Sequence, residues 1–430
     1  MNYVQSSTNI SQKKILASTW QKSDTTWMLG LYGTAIGAGV LFLPINAGIG
    51  GLLPLIIMAI IAFPMTFFSH RGLCRFVLSG KNPNNNLIEV VEEHFGIDIG
   101  KLITLLYFFA IYPILLVYGV AITNTVDSFI VNQIHLSSPP RAILSFILIT
   151  VLMIVIYFGK NFMIKVIGIL VFPFIVTLML LALYLIPHWS GAIFENLFIK
   201  CTSIEKGILM TLWLAIPVMV FAFNHSPIIS TFAVMKRKEY GNIAEEKCSH
   251  ILFYSHILMV LTVMFFVFSC VFSLSPADLM LAKTQNISIL SYLANYFNTP
   301  IIAYVAPIIT FIAISTSFFG HYMGACEGFN QIIINLLHKK NKKINYDKLN
   351  RITAFFMLIS TWIVAMLNPS ILSIIENLGG PIIAILLFLM PMYAINKVPV
   401  MHKYRGDISN IFVIIMGLIS ISAILYNILS

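Results

Sequence analysis

The sequence predicts an all-α membrane protein with many spanning helices, arranged as two related halves. Hydrophobic residues make up 59% of the 430-residue chain and charged residues only 10%, whereas soluble domains carry about a quarter charged residues. A chain this apolar has too few charged residues to cover a surface in water, so lipid must be its solvent. Eleven apolar segments follow one another along the chain. Two of them are interrupted at matching positions, which is typical of a structural repeat.

Residues 1–26 are polar, and no continuous apolar run precedes Trp27. This pattern predicts a cytoplasmic N-terminal segment without a cleaved signal peptide. A spanning helix needs about 20 largely apolar residues. The predicted spans, numbered one to eleven, are residues 27–46, 51–69, 101–122, 141–157, 163–187, 207–228, 251–273, 300–322, 352–367, 376–395 and 409–428.

The predicted halves are two repeats of five spans each. Spans one to five form the first repeat, residues 27–187, and spans six to ten form the second, residues 207–395. Span eleven, residues 409–428, follows as an additional helix. The connections 86–96 and 276–297 have apolar positions at helical spacing, which predicts a surface helix after the second span of each repeat. The two connections fall on opposite sides of the membrane, as an inverted repeat requires.

The distribution of basic residues predicts the orientation in the membrane. With the N-terminus in the cytoplasm, all but four of the 26 lysines and arginines lie on the cytoplasmic side, as the positive-inside rule requires. The four exceptions are Arg141, Lys200, Lys206 and Lys283. An odd number of spans then places the C-terminus in the periplasm. The net charge of +10 therefore indicates topology and not a nucleic-acid surface.

Spans one and six are both interrupted. Span one carries four glycines within the ten residues 30–39 and closes with Pro44, a combination that disfavours a continuous helix. Span six has the polar triplet Asn224–Ser226 between Pro217 and Pro227. Each feature has a simpler interpretation, because spaced glycines also permit close helix packing and polar side chains also join helices by hydrogen bonds.

Interrupted helices at matching positions indicate a binding site for a small zwitterion. In lipid, free backbone N–H and C=O groups are tolerated only where they line a cavity or face protein. The N-terminal end of a half-helix attracts a carboxylate, and free carbonyl groups hold an ammonium group or a cation. A free amino acid presents both charges. The sequence therefore predicts that both interruptions face one central site.

The chain resembles the hydroxy and aromatic amino acid permease family over essentially its whole length. The stretches that carry the resemblance are Gly30–Asn46, Ala62–Phe68, Tyr107–Pro113, Phe223–Pro227 and Leu378–Ile383. The resemblance implies the leucine-transporter-type fold, which has two inverted five-helix repeats plus further helices. It also implies a transporter of the bacterial inner membrane that imports L-serine. L-threonine is a possible additional substrate, and a threonine or aromatic amino acid permease of the same family is the alternative.

The resemblance also implies where the substrate binds, between spans one, three, six and eight. Asn224 or His225 would meet the serine hydroxyl group, and a tyrosine of span three would cap the carboxylate. The substrate-binding residues expected on this basis are Thr34, Ala35, Ala38, Gly39, Tyr107, Tyr112, Phe221, Ala222, Asn224, His225 and Ser226.

Two coupling ions are compatible with the sequence, and no other cofactor is expected. The resemblance implies H⁺. The spacing of Ala313, Thr316 and Ser317, however, is similar to the sodium-ligand pattern of sodium-coupled relatives, in which carbonyl groups of span one, here Gly33 and Ile36, complete the site. Neutral oxygens suit a hard cation. The alternative is that Thr316 and Ser317 only form hydrogen bonds within the bundle.

Three charged or aromatic residues are candidates for gates. Asp24 and Trp27 precede span one and would form an inner gate, and Glu376 at the start of span ten would form an outer gate.

The sequence carries no enzyme signature. It has no phosphate-binding loop, no His-Glu-x-x-His and no Gly-x-Ser-x-Gly, and its five cysteines lack the paired spacing of a zinc or redox site. We therefore expect that the protein is not an enzyme and has no ATPase subunit, and that its partners are an amino acid and the lipid bilayer. A channel or a non-transporting receptor is the alternative from a different class.

Overall fold

A computed structural model describes residues 19–190, 208–297, 299–338, 345–375 and 380–429. Within these ranges every regular element is a helix and no β-strand occurs, which confirms the all-α prediction. The helices of the first half are α1 Lys22–Ala35, α2 Ala38–Ile49, α3 Leu52–Leu78, α4 Leu87–Phe95, α5 Ile97–Asn132, α6 Arg141–Tyr157 and α7 Lys160–Leu185.

The helices of the second half begin with the same order, two short helices followed by a long one. They are α8 Ile208–Ala222, α9 Ser226–Tyr240, α10 Ala244–Ser273, α11 Pro276–Thr284, α12 Ile289–Tyr296, α13 Pro300–His338, α14 Tyr346–Leu367, α15 Ile371–Ile374, α16 Gly380–Ile383, α17 Met390–Lys397 and α18 Ile408–Leu429. A π-helical segment, Ala384–Leu389, joins α16 to α17.

The described helices confirm a protein that crosses the membrane several times. Seven of them are long and apolar enough to span a bilayer, or up to eight if the bent pair α1 and α2 is one span. Three shorter apolar helices, Arg141–Tyr157, Leu212–Ala222 and Ala384–Lys397, overlap predicted spans four, six and ten. The count of eleven spans and the limits of the two repeats stay predictions.

Several helices are longer than the predicted spans. The third predicted span, 101–122, lies inside α5, Ile97–Asn132, and the eighth, 300–322, is only the first part of α13, Pro300–His338. Hydropathy marks the part of a helix that meets lipid, whereas backbone hydrogen bonding continues into water wherever the residues favour a helix. We therefore expect the longer helices to project from the membrane.

The two predicted surface helices are present, and a capping box begins each of them. The backbone N–H of Glu89 donates to Asn86 Oδ1 over 3.0 Å, and the N–H of Asn86 donates to Glu89 Oε2 over 2.8 Å, at the start of α4. Ser275 and Asp278 form the same reciprocal pair before α11. Such pairs satisfy backbone donors that a helix start leaves unpaired. The region 276–297 differs from the prediction because it holds two short helices, α11 and α12.

The long helices α5 and α13 pack against each other and form the centre of the bundle. Helix α13 also contacts α1, α7 and α9, and α2 contacts α8. Both interrupted pairs therefore contact α13, the first through α1 and the second through α9.

Candidate functional site

The first interruption lies at Ile36 and Gly37, between α1 and α2. The two helices meet at an angle of 52°, and Gly37 has φ −142° and ψ −141°. Any residue can adopt this φ, so the need for glycine is steric. A Cβ atom at Gly37 would lie 2.4 Å from Ser317 Cβ and 2.8 Å from the ring of Tyr118. Only a residue without a side chain brings this break so close to α5 and α13.

The second interruption covers Phe223, Asn224 and His225, between α8 and α9. Asn224 Oδ1 accepts a hydrogen bond from the backbone N–H of Ser226 over 3.1 Å, which satisfies a free donor at the start of α9. The amide Nδ2 of Asn224 is buried and has no hydrogen-bond partner among the described residues. The break therefore presents an unused donor to the interior.

The two interruptions face each other. A Cβ atom at Gly39, in the first turn of α2, would lie 2.7 Å from Ala222 Cα and 2.8 Å from Phe221 Cδ1. Thus the start of α2 touches the end of α8, and the break residues Asn224 and His225 are at most 1% exposed. The prediction that both helices are interrupted and meet inside the protein is confirmed.

Helix α13 contacts the first interruption through small and hydroxyl-bearing residues. The hydroxyl of Ser317 donates to the carbonyl oxygen of Thr34 over 2.6 Å, and its oxygen is 2.7 Å from the Tyr118 hydroxyl. Gly320 leaves room for Thr34, because a Cβ atom there would lie 2.3 Å from Thr34 Oγ1. Thr34 itself donates to the carbonyl oxygen of Gly30 over 2.8 Å. These contacts bring Thr34 and Ser317 together at the break.

The five predicted sodium ligands are all neutral oxygens. Thr316 Oγ1 donates its proton to the carbonyl oxygen of Ala313 over 3.1 Å, and a Cβ atom at Gly33 would lie 3.5 Å from Thr316 Cβ. Both hydroxyl protons are therefore used, so the oxygens of Thr316 and Ser317 keep lone pairs for a cation. This donor set, which includes the Gly33 and Ile36 carbonyls, suits a hard ion. Sodium binding stays a prediction.

The tyrosine of α5 at the break is Tyr118, which the sequence reasoning did not select. Tyr112 lies away from the break, because its ring stacks on Phe108 at 4.7 Å and on Phe356 of α14 at 5.6 Å. Tyr107 is buried, and its hydroxyl has no partner among the described residues. Tyr118 follows Tyr107 by about three helical turns and so shares its face, whereas Tyr112 points elsewhere. Helical spacing from Tyr107 was the signal available in the sequence.

Comparison with known proteins agrees with this geometry. Residues 25–425 match the model of the tryptophan/tyrosine permease family. The chain belongs to this permease family. Among curated relatives, it is 70% identical to the serine transporter SdaC of Escherichia coli (strain K12), over 96% of both chains. It is 50% identical to the threonine/serine transporter TdcC of Escherichia fergusonii, over 98% of this chain and 99% of that one.

Among solved structures, the permease resembles MhsT in complex with L-phenylalanine. The TM-score is 0.57 at 16% sequence identity, over 94% of this chain and 97% of that chain. This likeness shows the fold and confirms the leucine-transporter-type architecture predicted for the permease. Its homologues are transporters and not enzymes, in agreement with the missing enzyme motifs.

Three buried histidines surround the second interruption of the permease. His225 is predicted as a site residue. His70 of α3 stacks on it with ring centroids 3.7 Å apart and an interplanar angle of 8°. His256 of α10 lies 4.7 Å from His225, measured between ring centroids. The sequence reasoning did not select His70, because nothing in one sequence shows that α3 turns this residue toward span six.

A buried ionic network joins the two halves at the predicted cytoplasmic end of the permease. The carboxylate of Asp24 is fully buried and accepts hydrogen bonds from Lys236 Nζ at 2.7 Å, Lys247 Nζ at 3.0 Å and the Tyr240 hydroxyl at 2.9 Å. These contacts join α1 to α9 and α10. The ring of Trp27 also packs on Phe232 of α9, with centroids 5.5 Å apart. Both predicted inner-gate residues therefore hold α1 against the second half.

Glu376, the predicted outer-gate residue, lies outside the described residues. The role of all three gate residues stays a prediction.

Two cavities open at opposite ends of the permease. One, of about 490 Å³, is lined by Asp127, Arg141 and neighbouring polar residues on the predicted periplasmic side. The other, of about 670 Å³, is lined by Ser230, Glu327 and further polar residues on the predicted cytoplasmic side. Because the residues of both breaks are buried, the candidate site is closed to both ends in this conformation.

Proposed function

We propose that this permease is a secondary active transporter that imports L-serine in symport with a cation. One observation carries the proposal: two interrupted helices face each other around buried polar groups, including the unpartnered Nδ2 of Asn224. The relatives named as serine and threonine/serine transporters, at 70% and 50% identity, support the choice of substrate.

The backbone groups at the breaks account for binding of the two charged ends of an amino acid. Helix α2 starts at Ala38, and the first N–H groups of any helix lack intrahelical partners. At Ala38 and Gly39 they would receive the carboxylate, helped by the positive end of the helix dipole. The last carbonyls of α1, at Thr34 and Ala35, and those of α8, at Phe221 and Ala222, would receive the ammonium group.

Asn224 is the better candidate for the serine hydroxyl group. Its Oδ1 is used by Ser226, so its Nδ2 is free to donate to the hydroxyl oxygen. His225 uses Nδ1 to donate to the carbonyl of Phe223 over 3.1 Å. Serine would give this buried donor a hydrogen-bond acceptor, whereas alanine would leave it unpaired. The site would therefore select strongly for a substrate with a hydroxyl group. The close approach of Gly39 to Ala222 also favours a substrate with a small side chain. L-Threonine is therefore the second candidate substrate, and aromatic amino acids are disfavoured.

The coupling ion is H⁺ or Na⁺, and transport in proteoliposomes tests the whole proposal. We expect labelled serine to accumulate against its gradient and an ionophore for the coupling ion to abolish the accumulation. A channel or a receptor would show no concentrative uptake. Imposing the sodium gradient and the pH gradient one at a time, with choline replacing sodium, identifies the ion.

The cellular location is part of the same proposal. We infer a place in the bacterial inner membrane, with the N-terminus in the cytoplasm and the C-terminus in the periplasm. A C-terminal alkaline phosphatase fusion tests this topology, because the enzyme is active only outside the cytoplasm. A second fusion in the loop of Lys283 should also be active. If that fusion is active and the C-terminal fusion is inactive, the predicted odd number of spans is wrong.

A further inference from the structure

The cluster of His70, His225 and His256 is fully buried, and none of its rings has an ionic partner. The three side chains are at most 1% exposed, and one ring nitrogen of each lies within 4.8 Å of the other two. Among the described residues, no carboxylate lies within ion-pair distance of the rings. The other titratable group whose charge reaches His225 is His321 of α13, which donates from Nδ1 to the Ser317 carbonyl over 2.9 Å.

The hydrogen bonds fix the protonation pattern of the three rings. Each Nδ1 faces a backbone carbonyl: that of Thr66 at 2.7 Å, of Phe223 at 3.1 Å and of Leu252 at 2.6 Å. A carbonyl oxygen only accepts, so each Nδ1 carries a proton. In a neutral imidazole the Nε2 atom is then an acceptor.

Two of the three Nε2 atoms lack a hydrogen-bond donor. His70 Nε2 accepts the backbone N–H of His225 over 3.2 Å. The Nε2 atoms of His225 and His256 are buried and have no hydrogen-bond partner among the described residues. Two buried acceptors without a donor are costly in a dry interior. A single added proton would turn one of them into a donor for the other.

The stacking of the rings decides which cation fits. A divalent metal needs lone pairs that converge on one point about 2.0–2.1 Å from each nitrogen. The rings of His70 and His225 are parallel within 8° and 3.7 Å apart, so their in-plane lone pairs cannot converge. A proton needs one lone pair and one neighbouring acceptor, and it requires no extra volume.

We propose that the cluster of His70, His225 and His256 binds the proton that is coupled to amino-acid import. This inference rests on the proposed transport function. The proton adds to Nε2 of His225 or His256 and forms an N–H···N hydrogen bond to the other ring, with no other bond made or broken. It comes from water on the outer side and returns to water in the cytoplasm when the breaks open to that side.

The position of His225 links the proton to the substrate. His225 directly follows Asn224, the candidate for the serine hydroxyl, and lies in the same helix break. A ring movement that closes His225 on His256 of α10 therefore moves the backbone that forms the substrate site. Binding of the proton and binding of the amino acid then both stabilise the same closed conformation of the helix break.

Substitution of His256 and His70 tests the assignment while Asn224, the candidate for the serine hydroxyl, stays unchanged. His70 itself accepts the backbone N–H of His225, and the Oε1 atom of glutamine is also an acceptor. His256→Gln and His70→Gln keep a hydrogen-bonding side chain but remove the titrating ring. His250→Gln is the matched control, because His250 is exposed on the same helix as His256. Each protein is measured for serine exchange without any gradient and for accumulation driven by a pH gradient.

We expect the wild type and His250→Gln to exchange serine and, with one proton per serine, to accumulate it about tenfold for one pH unit. His256→Gln and His70→Gln should exchange serine but show no accumulation above the outside concentration. If either exchanging variant accumulates serine about tenfold, the proton site is refuted. Accumulation by the wild type that follows sodium and ignores the pH gradient also refutes it.

A binding measurement covers the case in which both variants lose exchange. Calorimetry of serine binding to the purified protein in buffers of different ionisation enthalpy counts the protons taken up. We expect one proton per serine for the wild type and none for the variants that bind, and no uptake by the wild type refutes the inference. A wild type that neither binds nor exchanges serine contradicts the proposed function instead.

Discussion

Gly37 is the position where a single methyl group should do most damage to the candidate site. A Cβ atom there would lie 2.4 Å from Ser317 Cβ, 2.5 Å from Ser317 Oγ and 2.8 Å from the Tyr118 ring. Real Cβ contacts are longer, so Gly37→Ala must push α2 away from α13 and α5. Overpacking of this kind costs about 1–3 kcal/mol, which corresponds to about fivefold to 150-fold in an equilibrium constant.

Gly30→Ala is the matched control on α1. Nothing lies within 4 Å of a Cβ atom at Gly30, and alanine in a helix interior is more favourable than glycine by about 0.5–1 kcal/mol. We therefore expect Gly30→Ala to keep or slightly raise thermal stability and to transport serine normally. Gly37→Ala should lower both the melting temperature and the affinity for serine.

The measurements are thermal denaturation of the purified protein and the concentration dependence of serine uptake. Removing the clashing side chain gives an internal check, because the double variant Gly37→Ala with Ser317→Gly should recover part of the lost stability. Equal behaviour of Gly37→Ala and Gly30→Ala would refute the close packing of the break against α13.

Three further predictions concern the gate, the substrate contact and a surface helix. Asp24→Asn leaves the buried ammonium group of Lys247 without its carboxylate, whereas Lys236 keeps Glu239. The substitution should cost about 3–5 kcal/mol in thermal denaturation, and exposed Asp98→Asn should cost nothing measurable. Asn224→Ala should raise the KM for serine about tenfold but not that for alanine, and an equal rise for both would contradict the hydroxyl contact. Burial raises the pKa of Asp278, but hydrogen bonds from Ser275 and Tyr292 outweigh it and leave this pKa lowered. Asp278 therefore stabilises the folded protein at pH values above its pKa in the unfolded chain, about 3.9. This stabilisation is lost as the pH falls through the lower pKa of the folded state. The difference in melting temperature between the wild type and Asp278→Asn should therefore disappear on acidification.

That the chain crosses the membrane several times could be predicted from the sequence, because lipid leaves the backbone few choices. A chain in hydrocarbon must satisfy its backbone groups internally, so apolar length and loop charge already indicate helices and their direction. The two interruptions were also predictable, since glycines at 30–39 and the polar triplet Asn224–Ser226 are unfavourable in a continuous helix.

The side chains brought to the breaks from other helices were less predictable. Tyr118 and His70 lie on α5 and α3, and their approach to the breaks depends on how far each helix is rotated about its axis. One sequence does not contain that rotation, because both faces of a buried helix are apolar and the hydropathy pattern is weak. For this reason Tyr112 was a reasonable expectation and yet packs against α14.

The ionic network at the predicted cytoplasmic end consists of equal numbers of positive and negative groups. Asp24 and Glu239 carry the negative charges, and Lys236 and Lys247 carry the positive ones. Movement of a charge through the membrane potential costs energy in proportion to that charge. Because the set is neutral, its members do no net work against the membrane potential when they move over equal distances along the membrane normal. In that case a response of import to membrane potential comes from other moving charges, among them the cation that travels with the amino acid.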